Sequence, residues 1–186
     1  RITRLWSSRV SRPEDSSIAD IRGSLRSRSG TIASMGDEVQ LNYSAELATI
    51  NTPRAQGAAG FLGRKGIIRL GDVDIEMAND YGTVLVVALD NQPLSASRKL
   101  LIQCMTVDQL YGWETSEPGG MGGAIRSVGS APSGVKKMHA TVTLRLPGGM
   151  PGQIIPSDEN ATPTAREPPP PAPADGGAVL PRVGAF

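Results

Sequence analysis

Alternation of apolar and polar residues with a period of two is the strongest signal in the chain. In DVDIEM (72–77), Val73, Ile75 and Met77 alternate with Asp72, Asp74 and Glu76, which predicts a strand with one buried and one wet face. ATVTLRL (140–146) sets Ala140, Val142, Leu144 and Leu146 against Thr141, Thr143 and Arg145. EVQLNY (38–43) alternates Val39, Leu41 and Tyr43 with polar partners. Two further runs, TVLVVAL (83–89) and KLLIQCMTV (99–107), are apolar almost throughout, as expected of strands covered on both faces. Asn79-Asp80-Tyr81-Gly82 and Asp90-Asn91-Gln92-Pro93 flank TVLVVAL and carry turn chemistry. Short strands so spaced predict an all-β fold, an antiparallel, jelly-roll-like β-sandwich.

This patterning is confined to residues 17–147. Residues 1–16 are polar and rich in Arg and Ser. The arginines Arg1, Arg4, Arg9, Arg12, Arg22, Arg26 and Arg28 crowd the first thirty positions, which reads as a solvated, flexible basic arm. From 148 to 186 the periodicity disappears. The run Pro168 to Pro171 favours extended polyproline conformation and cannot enter a sheet interior. A Pro-rich, low-complexity tail is expected there. The segment 116–134 holds many glycines and is expected to be a mobile loop. The chain opens on Arg1 rather than Met, which reads as a piece of something longer or a processed product.

Charge narrows the function classes. A formal net charge of +1 over 186 residues argues against a dedicated nucleic-acid or membrane-surface protein, and no run approaches the ~20 apolar residues of a membrane span. The single cysteine, Cys104, lies in LLIQCMTV, so it reads as a small buried hydrophobe rather than a nucleophile. The compartment stays open; a secreted or periplasmic setting is compatible with a domain lacking disulfides.

Candidate chemistry is sparse. The acids Asp72, Asp74 and Glu76 share one strand face, but alternate side chains on a straight strand stand ~7 Å apart, a poor cage for Ca²⁺; a solvated face is expected. The lone His139 supplies neither a hydrolytic triad nor a zinc site. No carboxylate pair stands out as a glycosidase couple. No catalytic residue, metal ligand or cofactor is assigned. Tyr111 and Trp113, two apart, would share a strand face; Trp113 reads first as a cap on the core at a strand end, with a stacking platform for a sugar ring as the alternative, since only 4% of residues are aromatic.

The stretch INTPRAQGAAGFLG (50–63) reads as a corner. Ile50 ends a strand, Pro53 removes a donor and pushes Thr52 toward extended geometry. Gly57 and Gly60 allow close packing of the next segment. Arg54 would fix the corner through a carboxylate or carbonyls. With its neighbours LGDVDIE and NDYGTVLVVALDNQPLSASRKLLIQCMT, the stretch resembles the C-terminal β-domain of large glycoside hydrolase-like proteins, many of them bacterial. The matching positions include Thr52, Pro53, Arg54, Gln56, Gly57, Leu70, Gly71, Asp72, Leu89, Asp90, Pro93 and Ser97. The resemblance covers about residues 31–107. It implies a β-sandwich packed behind a catalytic barrel that lies outside this chain, and a non-catalytic, ancillary role, with that catalytic domain as the partner. Two other readings stay open. One is a carbohydrate-binding module using Tyr111 and Trp113 on polysaccharide; the other is a structural or assembly protein whose tails make the contacts. The oligomeric state is not legible.

Overall fold

The computed structural model describes residues 25–116, 123–147, 154–158, 162–163 and 177–178. The basic arm, most of the Pro-rich tail and the centre of the glycine-rich segment lie outside these residues. Thirteen strands run in chain order among the described residues: β1 (Leu25–Arg28), β2 (Thr31–Ser34), β3 (Val39–Asn42), β4 (Leu47–Asn51), β5 (Ala55–Gly60), β6 (Ile68–Arg69), β7 (Val73–Met77), β8 (Gly82–Ala88), β9 (Leu100–Met105), β10 (Asp108–Thr115), β11 (Ile125–Val135), β12 (Ala140–Leu144) and β13 (Gly177–Ala178). Short 3-10 turns at Leu62–Arg64 and Leu94–Ala96 interrupt them.

The strands form a seven-stranded sheet ordered β1-β2-β3-β4-β5-β8-β9, a four-stranded sheet ordered β13-β12-β7-β6, and a separate β10-β11 ribbon. Every pairing is antiparallel. The architecture is thus all-β and sandwich-like, as the alternation predicts.

The core lies between the two larger sheets. Val84, Val86, Ala88 and Ala58 enter from the seven-stranded sheet; Val73, Ile75, Met77, Val142 and Leu144 enter from the four-stranded one. Val73, Ile75, Val84, Val86 and Val142 are 0% exposed, and each such side chain contributes about 1.5–3 kcal/mol on burial. Leu62 and Leu94, one from each 3-10 turn, complete the cluster. Both turns follow apolar or proline-directed chain reversals, and each drives one leucine into the core.

Directly opposed residues of antiparallel neighbours share a face, so the register fixes the two faces of the large sheet. The inner face carries Ala58, Val84 and Cys104 in one row and Gln56, Val86 and Ile102 in the next. The outer face carries Val39 with Ile50, Leu41 with Ala48, Gly57 with Leu85, and Val87 with Leu101. Gly57 is required by close approach. A Cβ there would meet the Val84 carbonyl oxygen at 2.5 Å and Leu85 Cα at 3.0 Å. Gly60, at φ +136°, would press a Cβ onto the Glu46 carbonyl.

Four sequence expectations change. TVLVVAL is buried on one face only: Val84, Val86 and Ala88 are buried, while Leu85 and Val87 are half-buried. Only one sheet opposes it. In β3 the apolar side points outward, leaving Val39 49% and Leu41 45% exposed, while Gln40 and Asn42 are half-buried. The segment expected to be a loop instead supplies β11, because residues 108–115 provide a partner strand. Gly112 (φ +79°) and Gly129 (φ +71°) lie near the register shift after Leu110, where left-handed backbone accommodates a bulge. The last residues of the basic segment also join the sheet as β1.

Candidate functional site

The corner at 51–56 is densely braced by hydrogen bonds among the described residues. Thr52 closes it locally: Ala55 N–H donates to Thr52 Oγ1 at 2.9 Å, and the Thr52 N–H and hydroxyl donate to the Ala55 carbonyl at 2.9 and 3.0 Å. Its remaining groups reach the end of β8 and the β8–β9 connection. The Pro53 carbonyl accepts from Leu94 N–H (2.7 Å), and the Arg54 carbonyl accepts from Ala88 N–H (2.9 Å). The Arg54 guanidinium donates to the Asn91 side-chain oxygen at 2.5 Å. Pro53 and Arg54, expected as a structural corner, are both exposed, and the Arg54 side chain meets the Asn91 amide oxygen in place of the expected carboxylate or carbonyls.

Gln56 ties this corner to the opposite sheet. It is the one buried polar side chain among the described residues, at 2% exposure. Its Oε1 accepts from Asp72 N–H at 2.7 Å, and its Nε2 donates to Asp72 Oδ2 at 3.2 Å and to the Thr52 carbonyl at 3.4 Å. Full satisfaction is what allows a primary amide to sit in a core. Alongside, Asn51 accepts from Gly71 N–H at 3.0 Å. A Cβ on Gly71 would stand 2.8 Å from Gln56 Nε2, so glycine is needed there for the bridge to form. Arg145 donates to the Leu70 and Gly71 carbonyls at 2.6 and 2.7 Å and ion-pairs with Asp74. The acid stripe is therefore only partly solvated: Asp72 and Asp74 are half-buried and engaged, and Glu76 alone is exposed.

Asp90 organises the β8–β9 connection in the same manner. Its carboxylate accepts from the Ser97 hydroxyl (2.7 Å) and from the backbone N–H groups of Arg98 (2.8 Å) and Gln92 (3.4 Å). The Ser97 hydroxyl, followed by the Arg98 amide, holds the Asp90 pKa below the usual carboxylate range. At the opposite end, Arg64 grips Asp80 through two hydrogen bonds of 2.6 and 2.7 Å and lies 4.4 Å above the Phe61 ring. Phe61 meets Tyr81 edge-on at 5.4 Å. The Arg64 hydrogen bond likewise lowers the Asp80 pKa.

These carboxylates are in the wrong state for acid catalysis. A glycosidase acid needs a raised pKa, whereas Asp80 and Asp90 are both pulled down. Cys104 faces inward beside Val84, and burial pushes its thiol up to about 11, which leaves it an inert thiol at neutral pH. His139 is exposed and serves the backbone: its N–H donates to Asn79 Oδ1 and its carbonyl accepts from Ala78 N–H, both at 2.8 Å. Among the described residues no group of His, Cys, Asp and Glu side chains is placed to hold a metal ion.

Tyr111 and Trp113 both lie on β10, opposite Ser130 and Val128. Tyr111 is 79% exposed. Trp113 is half-buried, and its indole N–H is buried with no acceptor among the described residues. The Gln56–Asp72 bridge and the Arg145 clamp escaped sequence reasoning. The available signal was a lone glutamine within a strand of small residues, AQGAAG.

No family model, curated protein or solved structure matches the chain.

Proposed function

We propose that this chain is an ancillary, non-catalytic β-sandwich domain of a glycoside hydrolase-like protein, whose work is to pack on and stabilise a catalytic domain lying outside these residues. One observation carries the reading. Thr52, Pro53, Arg54, Gln56, Asp72, Asp90 and Ser97, among the positions that carry the resemblance, all spend their polar groups on bracing one end of the sandwich. A motif series with that job marks a domain type and performs no reaction.

The test has two arms. The 186-residue chain is expected to release no reducing sugar from a panel of aryl glycosides and polysaccharides, whereas the protein encoded by the complete reading frame is expected to do so. Hydrolysis by the chain itself would sink the proposal, as would an inactive complete protein. A second reading, polysaccharide binding through the ribbon, is favoured by the exposed ring of Tyr111. Affinity electrophoresis checks it: retardation by a glycan that Tyr111→Ala abolishes supports this reading, and free migration in every glycan removes it.

A further inference from the structure

We infer that the outer face of the seven-stranded sheet is the surface by which this domain docks onto a neighbouring domain of the same polypeptide, an inference that rests on the ancillary-domain reading above. Leu85 and Val87 stand on β8 beside the edge strand β9, which carries Leu101 and Met105; Val39 and Leu41 stand on β3, beyond β5 and β4, whose residues on this side are Ala55, Gly57, Ala59, Ala48 and Ile50. Val39, Leu41, Leu101 and Met105 are 49, 45, 38 and 62% exposed. Neither these four nor Leu85 and Val87 belong to the core cluster. From β2 to β9 the register places no Asp, Glu, Lys or Arg on this side; Ser34, Thr83 and Gln103 are its polar residues.

The chemistry and the size of the face select its occupant. A charged or heavily hydroxylated ligand would lose its water there and find almost no hydrogen-bonding groups in return, so the partner surface is apolar and uncharged. Across the six strands from β2 to β9 the face spans about 24 Å by 17 Å, on the order of 400 Å² in projection. A free-standing pair of proteins needs about 800 Å² per partner, so a second copy would be held weakly. Domains of one chain associate through interfaces from about 600 Å² in total, because the tether supplies a millimolar effective concentration. The face therefore matches a tethered neighbour and falls short of a stable dimer.

Methionine oxidation reads this directly, since a thioether reacts with peroxide when exposed. Met105 sits on the outer face, and Met35, 53% exposed between β2 and β3, provides the reference. Dilute hydrogen peroxide is applied to the 186-residue chain and to the protein encoded by the complete reading frame, with peptide mass spectrometry as the readout. Met105 is expected to oxidise about as fast as Met35 in the chain, and at least about ten-fold more slowly in the complete protein. Equal Met105 rates in the two proteins overturn the inference. So does protection in the 186-residue chain that grows with its concentration, which would assign the face to a second copy. A complete protein that shields Met105 but hydrolyses no glycoside leaves the docking face standing and defeats the glycoside hydrolase-like reading. One that hydrolyses glycosides with Met105 unshielded does the reverse.

Discussion

The two faces of β8 and β9 differ little in composition and greatly in environment. Inward, Val84 and Val86 are 0% exposed, and Leu100, Ile102 and Cys104 pack against them. Outward, Leu85 and Val87 are half-buried, while Leu101 and Met105 reach 38 and 62% exposure. Both faces are apolar enough to seek cover, but only the inner one is opposed by β7 and β12. Hydrophobic content thus records that a face is meant to be covered. The register and the placement of the second sheet determine which face is covered within this domain.

Substitutions can break or sharpen this contrast. The largest effect belongs to the core side. Ile75→Ala should cost about 2–5 kcal/mol of folding stability, read as a lowered urea midpoint; a loss below that of an exposed position would mean that the core is elsewhere. Next come the contacts that hold the faces apart. Gly57→Ala forces a Cβ against the Val84 carbonyl and should cost about 1–3 kcal/mol. Gln56→Leu keeps the volume but strands the Asp72 N–H, for about 1–3 kcal/mol. Gln56→Glu should not restore it, because a carboxylate in place of the amide would face Asp72 Oδ2.

Acid sensitivity distinguishes the braced end from the sheet faces. Asp90 titrates below its ordinary value in the folded chain, so below about pH 4 the unfolded chain takes up the proton first. The Asp90 contribution is complete at neutral pH and is lost as pH falls through the lowered value. Ser97→Ala removes the principal cause, and the drop in thermal midpoint between pH 7 and pH 3 should shrink relative to the parent chain. An unchanged drop would show that this loop does not contribute to acid unfolding. The smallest effect is expected outside: Leu101→Ala should leave the stability of the isolated chain within about 0.5 kcal/mol. A loss rivalling Ile75→Ala would mean that the outer face is already covered.

The sequence by itself determined the strands whose residues obey local rules. DVDIEM and ATVTLRL became β7 and β12 with their apolar sides inward, because both pack against an opposing sheet and alternation then has a single low-energy orientation. The Thr52-Pro53 corner and the Asp90 loop were equally legible, since proline geometry and short polar side chains act on neighbouring backbone. The tertiary structure alone decided the rest. It turned the apolar side of EVQLNY to the outside, exposing Val39 and Leu41, because facing is inherited from the strand alongside through register. It joined Gln56 to Asp72 and Arg145 to Asp74, pairs separated in sequence whose meeting depends on how the sheets stack. It also left one apolar sheet face without a counterpart among the described residues, which periodicity cannot reveal, because a pattern shows which side chains avoid water and says nothing of what will cover them.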